Sequence, residues 1–209
     1  MARYTQARCR LCRREGAKLF LKGNRCVTEK CAFQKRTNPP GMHARPMGKA
    51  SNYSMQLREK QKTKRIYGML EKQFRRFFRT ASKAKGVTGR KLIELLERRM
   101  DNVLYRTLFA DSRQQARQLV GHGLVYVNGK RINVPSAWIE EGDTLELKGS
   151  EKMIAIVKEA VKAAAKDRSI PTWLDTDGEN LKAKVIRLPM KEDLVLPINE
   201  QLIIELYSK

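Results

Sequence analysis

Four cysteines sit in the first 31 residues, and none follows them. Cys9 and Cys12 form a C-x-x-C pair, thirteen residues separate Cys12 from Cys26, and four separate Cys26 from Cys31. A C-x-x-C pair puts two thiolates on one tight turn, and two cysteine pairs can close a tetrahedral all-thiolate site. Arg8, Arg10, Arg13, Arg14, Lys22, Arg25 and Lys30 surround them. These cations favour the thiolate forms and offset the charge that four thiolates leave on a zinc ion. A stretch this short in large apolar residues needs such a staple to hold a fold. The spacing predicts one structural zinc ion with every position filled by protein. An iron–sulfur cluster suits the same ligands, and two disulfides or four unrelated thiols are the remaining readings. The opening MARYTQARCRLCRR lacks the apolar segment of a secretory signal, so a reducing compartment is expected, which disfavours disulfides. The chain has two histidines. His43 is a spare ligand or a loop residue. His122, between two glycines, contacts phosphate or caps carbonyls.

The second chemistry is charge. The 209 residues carry 44 Lys and Arg against 22 Asp and Glu, a net of +22. Residues 1–100 hold 28 basic and 6 acidic side chains, and residues 101–209 hold 16 of each, so the whole excess lies in the first half. Such a field seeks a polyanion, nucleic acid first and anionic membrane second. The longest uncharged run, Gln118–Gly129, is 12 residues and only half apolar, so no bilayer span is expected.

The elements that position these groups follow from periodicity. Residues 1–50 read as a compact knuckle and an extended basic linker, broken by Pro39, Pro40, Gly41 and Pro46. Ser54 is placed to cap one long helix through Met55, Leu57, Ile66, Met69, Leu70, Phe74 and Phe77, ending before Gly86. Thr88 caps a second, carrying Leu92, Ile93, Leu95, Leu96, Met100, Val103 and Leu104. Ser112 and Gln115 have capping-box spacing for a third, which Gly121 and Gly123 close. Leu124–Val127 and Lys130–Val134 flank Asn128-Gly129, a strong hairpin signal, and Thr144–Leu147 follows the Gly142-Asp143 turn. Ser150 caps a helix to Ala165. Ala183–Leu188 and Leu194–Ile198 read as strands, and a last helix starts at Asn199.

On these elements the basic residues form three candidate nucleic-acid contacts. The arm offers Arg3, Arg10, Arg13, Arg14, Lys22, Arg25, Lys35, Arg36, Arg45 and Lys49. The first long helix offers Arg58, Lys60, Lys62, Lys64, Arg65, Lys72, Arg75, Arg76 and Arg79, with Tyr53, Tyr67, Phe74, Phe77 and Phe78 interleaved. Aromatics can stack on unpaired bases, but Phe74 and Phe77 fit the apolar stripe better. In the centre, Arg113 and Arg117 lie four apart on one face of the Ser112 helix. With His122, Lys130 and Arg131 they read as a phosphate clamp beside a helix N-terminus. The alternative for each arginine is an ordinary solvated side chain.

The stretch running from LERRMDNVLYR through SRQQARQLVGHGLVYVNGKRINVPS to EEGDTLELK resembles the small RNA-binding domain named after the fourth small-subunit ribosomal protein. That domain also occurs in pseudouridine synthases, some tRNA synthetases and heat-shock proteins. The flanks MARYTQARCRLCRREGAKLFLKGNRC, QLREKQKTKRIYGMLEKQFRRFF and INEQLIIELYSK resemble the bacterial type of that ribosomal protein, so the likeness covers essentially the whole chain. It implies an α+β, mostly helical fold. A basic arm with a four-cysteine knuckle would span 1–50, and a helical domain 51–90 with 165–209. A small α/β RNA-binding domain would be inserted at 91–164. It implies early binding to 16S ribosomal RNA at a multi-helix junction of the subunit body, as a monomer within the cytoplasmic ribosome. It further implies contacts with small-subunit proteins five and twelve, influence on decoding accuracy where mRNA enters, and, in some members, repression of their own translation. Members differ in whether they keep the cysteines; this chain has all four.

Rival classes are an RNA-modifying enzyme and a zinc-finger DNA regulator. The sequence lacks G-x-S-x-G, H-E-x-x-H, Walker A and G-x-G-x-x-G motifs, and no fold-sized segment remains for a catalytic domain. The histidine pair of two-Cys, two-His fingers is missing too. The second half, with no net charge, is expected to pack on protein, with Trp138, Trp173 and Tyr207 as core or interface residues.

Overall fold

The computed structural model describes residues 4–42, 49–193 and 198–208. The chain divides into two compact units, one of residues 1–93 with 195–209, the other of residues 94–194.

The first unit begins with the cysteine knuckle: α1 (Cys9–Glu15), a short 3-10 turn over Gly23–Cys26, and α2 (Ala32–Lys35). The single long helix expected after it is two helices, α3 (Asn52–Ile66) and α4 (Glu71–Lys83). The break falls at Gly68, whose φ of +60° is a left-handed conformation that glycine adopts without steric cost. There the Met69 N–H reaches back to the Lys64 carbonyl at 2.9 Å, satisfying an orphan helix-end acceptor. The cap is Ser51 rather than Ser54: its Oγ accepts from the Ser54 N–H at 3.2 Å. On α4, Phe74, Phe77 and Ala81 are buried, so the apolar stripe expected of Phe74 and Phe77 is core. The last helix, α9 (Glu200–Tyr207), packs along α3. Its Tyr207 ring stacks on Phe78 at 4.4 Å and Phe74 at 6.4 Å. Gly89 lets α9 approach, since a Cβ there would lie 2.4 Å from the Glu200 Cγ.

α5 (Thr88–Glu97) includes Thr88 within the helix instead of using it as a cap. The expected continuation to Leu104 is interrupted by Arg99. That residue is extended and bridges Trp138, and α6 (Met100–Arg106) starts afresh. α7 (Arg113–Gly121) is capped as its spacing predicts. Ser112 Oγ accepts from the Gln115 N–H at 3.3 Å, while Gln115 Oε1 accepts from the Asp111 N–H at 2.8 Å.

The second unit is built on an antiparallel sheet. Its strands are β1 (Val125–Val127), β2 (Lys130–Ile132), β3 (Thr144–Leu147), β4 (Leu174–Asp177) and β5 (Lys182–Val185), in the order β2-β1-β3-β5-β4. Asn128 and Gly129 both have positive φ, as the two-residue hairpin between β1 and β2 requires. One sheet face places Val125, Leu145, Leu147, Leu174, Ala183 and Val185 in a core shared with α6, α7 and Val157 of α8 (Glu151–Ala164). Ser150 occupies the N-cap of α8 without a side-chain bond.

Two tail expectations need correction. Residues 165–194 belong with the sheet and not with the helical domain, because β5 pairs with β3 and carries β4 on its other edge. β4 itself was not foreseen, and β5 is shorter than Ala183–Leu188. The strand expected over Leu194–Ile198 falls almost wholly outside the described residues. The fold is α+β and mostly helical with a small antiparallel sheet. Among the described residues no helix is long and apolar enough to cross a membrane.

Candidate nucleic-acid interface

Counter-charge decides which basic side chains face outward. On α4, Lys72, Arg75, Arg76, Arg79 and Lys83 are all exposed. At 100° per residue these five share one stripe, opposite Phe74, Phe77 and Ala81. Lys83, which the sequence reading passed over, completes that stripe at the i, i+4 spacing from Arg79.

α3 presents the same residue types differently. Arg58, Lys62, Lys64 and Arg65 are half-buried. Arg58 pairs with Glu15 at 3.3 Å, and Arg65 pairs with the same carboxylate. Lys62 pairs with Glu59 at 2.8 Å. Lys60 and Lys64 both reach Glu71, at 2.8 and 3.0 Å. Glu15 has a side chain only 1% exposed. Burial pushes its carboxyl up despite the two arginines, and burial pulls Arg65 down from its ordinary value. Glu71 sits nearer solvent. Burial is the largest single influence and raises it, but the hydrogen bonds and charges of Lys60 and Lys64 together outweigh burial and hold the carboxyl at about 2.

In the arm, Arg10, Arg14, Lys22, Arg25, Lys35, Arg36 and Lys49 are exposed, as is Tyr53 on α3. Arg13 is committed internally: its Nε donates to the Asn38 carbonyl at 2.7 Å and its Nη2 to that of Pro39 at 3.3 Å. Arg3, His43 and Arg45 lie outside the described residues.

The expected clamp of the second unit is built inward. Asp101 is 1% exposed and receives Arg99 Nε and Nη2 at 3.0 and 2.8 Å and Arg117 Nε at 3.0 Å. Arg113 is 9% exposed, donates to Asn102 Oδ1 at 2.8 Å, and lies 4.3 Å from the Tyr105 ring centre. Asn102 also donates to Glu97, which is fully buried and takes two bonds from Arg106 at 2.9 and 3.0 Å. Arg113 and Arg117 are therefore neither solvated nor turned outward. The Ser112 helix packs on α6, and their shared face meets Asp101 and Asn102 of that helix. Arg131 caps α7, donating to the carbonyls of Gly123 at 2.7 Å and His122 at 3.0 Å. His122 is exposed at the same helix end, Lys130 is exposed on β2, and the Ser112 hydroxyl is spent on its cap.

At the knuckle, Cys12, Cys26 and Cys31 are buried, Cys9 is half-buried, and all four are free thiols. Burial raises the Cys12 and Cys26 thiols, and the other cysteines lie close enough to raise them further. The Lys22 N–H donates to Cys26 Sγ at 3.3 Å. Soft sulfur donors of this kind suit zinc. Among the described residues, however, no group of three or more His, Cys, Asp or Glu side chains is arranged to hold a metal ion.

Comparison with known proteins matches this architecture. Residues 3–97 fit the family described as Ribosomal protein S4/S9 N-terminal domain, and residues 98–145 fit the S4 domain. Proteins called small ribosomal subunit protein uS4 are similar over the full length of both chains. Those of Solidesulfovibrio magneticus and Thermodesulfovibrio yellowstonii are 56% identical over 209 residues, and that of Nitratidesulfovibrio vulgaris is 54% identical. With both family regions adjoining and relatives matched from end to end, this chain belongs to the S4 family of ribosomal proteins.

Proposed function

We propose that the protein is a structural, non-catalytic constituent of the small ribosomal subunit that binds 16S ribosomal RNA and nucleates the subunit body. The observation that carries this reading is the α4 stripe, five exposed cations set opposite an apolar face that fixes the helix. RNA folding at a multi-helix junction crowds phosphates together, and Lys and Arg groups relieve that repulsion while releasing counterions. Structured RNA is met through shape, phosphates and 2′-hydroxyls. α4 supplies the charge, exposed arm residues such as Arg10, Arg14, Arg25 and Arg36 extend it, and the buried arginines of the second unit hold the shape.

The test is salt-dependent binding to 16S ribosomal RNA. Arg75→Gln, Arg76→Gln and Arg79→Gln together should reduce the slope of log K against log salt by about 2 to 3, the loss of three phosphate contacts. An unchanged slope removes α4 from the interface. Tighter binding to duplex DNA than to this RNA would reject the assignment itself.

Three finer roles follow from the family likeness: seating beside small-subunit proteins five and twelve, influence on decoding accuracy where mRNA enters, and work as a monomer in the cytoplasmic ribosome. Reconstitution of the subunit body with and without the protein tests the first of these. For the cysteines the reading is one structural zinc held by Cys9, Cys12, Cys26 and Cys31. It is supported by the spacing of the two cysteine pairs and by the basic residues around them, which balance thiolate charge. A bound zinc would fold the knuckle by fixing its two turns together. Elemental analysis of purified protein should find one zinc per chain, and stoichiometric iron with visible absorption would assign a cluster instead.

A further inference from the structure

Asn128 does more than turn the chain between β1 and β2. Its backbone N–H donates to the Thr144 carbonyl at 2.9 Å, and its side-chain Oδ1 accepts from the Thr144 N–H at 3.0 Å. Its Nδ2 donates to Asp143 Oδ1 at 2.7 Å. The other oxygen of that carboxylate, Oδ2, accepts from the Glu140 N–H at 2.8 Å. The side-chain amide thus clasps the hairpin tip to the start of β3. Only an amide serves, because one end must accept and the other must donate. The next residue puts that amide at chemical risk. Asn128 and Gly129 are both exposed, and a Cβ built on Gly129 would meet nothing within 4 Å. Neither a side chain nor a neighbour therefore screens the Gly129 nitrogen on that side.

We propose that Asn128 is a site of spontaneous deamidation whose rate is governed by this clasp, with water as the co-reactant. The Gly129 backbone nitrogen gives its proton to hydroxide and attacks the Asn128 Cγ. The Cγ–Nδ2 bond breaks, the departing nitrogen takes a proton back from water, and ammonia leaves behind a cyclic succinimide. Water then opens that ring at either carbonyl. One opening gives aspartate, the other isoaspartate, whose main chain runs through the former side chain. No electrons change hands. While the clasp holds, both ends of the amide are tied to Asp143 and Thr144, and the attack must wait for the tip to open. The product then prevents reclosure. Aspartate sets an oxygen where Nδ2 stood, 2.7 Å from Asp143 Oδ1, so a donor–acceptor pair becomes two like charges. Isoaspartate lengthens the main chain and cannot keep the two-residue turn.

The test ages the purified protein in mildly alkaline buffer, folded and in urea, and counts aspartate and isoaspartate at position 128 by peptide mass spectrometry. The unfolded chain should convert far faster than the folded one. Asp143→Ala, shown to be folded by circular dichroism, should convert about tenfold faster than the folded wild type, the worth of one hydrogen bond to a charged group. A second pair of variants tests the product without ageing. Asn128→Asp should lower the urea midpoint, and adding Asp143→Asn should restore it. The new amide at 143 can accept from the Glu140 N–H while donating to the new carboxylate at 128. Equal rates in the folded and unfolded wild type, or a wild-type rate in folded Asp143→Ala, overturn the clasp as the governor. No conversion at 128 in urea overturns the site itself. Failure of the exchanged pair to recover the midpoint overturns the like-charge account of the product.

Discussion

α4 and α7 each carry a pair of arginines one helical turn apart, Arg75 with Arg79 and Arg113 with Arg117, and the two pairs meet opposite fates. The α4 pair is exposed, whereas the α7 pair is folded against Asn102 and Asp101. Helical spacing is the same in both; the difference is whether a neighbouring element brings a buried carboxylate or amide to that face. α6 brings Asp101 and Asn102 to α7. The α4 stripe is opposite its own packed face, so the charge stays available. An arginine in this chain is thus a structural strut or a phosphate ligand according to the acids that tertiary packing delivers to it.

The largest effect should come from removing the strut's anchor. Asp101→Ala leaves Arg99 and Arg117 buried without their shared carboxylate, and breaking a buried pair in this way costs about 3–5 kcal/mol. Urea unfolding should show the loss, with Glu97→Ala close behind through Arg106. If Asp101→Ala unfolds like the wild type, the network is ornamental and the contrast between the helices fails.

On α4 the two faces should separate cleanly. Phe77→Ala removes a 4%-exposed ring and should cost about 3–5 kcal/mol of stability. Arg76→Ala, one residue away, should leave stability within about 0.5 kcal/mol and weaken RNA binding instead. A melting shift in Arg76→Ala comparable to that of Phe77→Ala would show that the stripe is structural after all.

The acid side gives a smaller, pH-coded effect. The Glu71 carboxyl is held at about 2, below its unfolded value of 4.5, so the folded state favours its ionised form. That stability is present above pH 4.5 and is lost as pH falls toward 2. Because the side chain is nearly half exposed, screening reduces the contribution to about 1 kcal/mol. Glu71→Gln should flatten the stability profile between pH 5 and pH 2 by that amount. A profile identical to the wild type's would mean that Lys60 and Lys64 hold α3 to α4 through other contacts.

The same contrast separates what a reader of the sequence can see from what only the fold reveals. Local signals carried through: Asn128-Gly129 made its hairpin turn, Ser112 with Gln115 made its cap, and Phe74 with Phe77 marked the core stripe. The turn and the cap have their partners within a few residues, and the stripe repeats within one helix, so periodicity and turn chemistry are decisive. The break at Gly68 was hidden because the helical pattern of apolar residues continues across it, and only the left-handed backbone betrays the turn. β4, with the sequence LDTD, lacks the alternating apolar pattern of a strand and is a strand because β5 offers it an edge. The fates of Arg117 and Arg65 were illegible for the same reason. Their carboxylates are 16 and 50 positions away, and nothing in residue type announces which of several acids will arrive.

The smallest effect is the most discriminating. Sequence spacing alone suggests that the N-terminus of α7, with Ser112 and the arginines after it, grips phosphate. The fold spends the Ser112 hydroxyl on the Gln115 N–H and turns Arg113 and Arg117 inward. Ser112→Ala should therefore cost about 1 kcal/mol as the loss of an N-cap and leave the salt slope of RNA binding unaltered. A phosphate seated on that helix end would behave otherwise: the same substitution would weaken RNA binding with little change in unfolding. Measuring both quantities on one variant separates the readings. A fall in stability with constant slope places α7 with the struts, while a fall in affinity at constant stability would give it back to the interface and make α4 one of two helical grips.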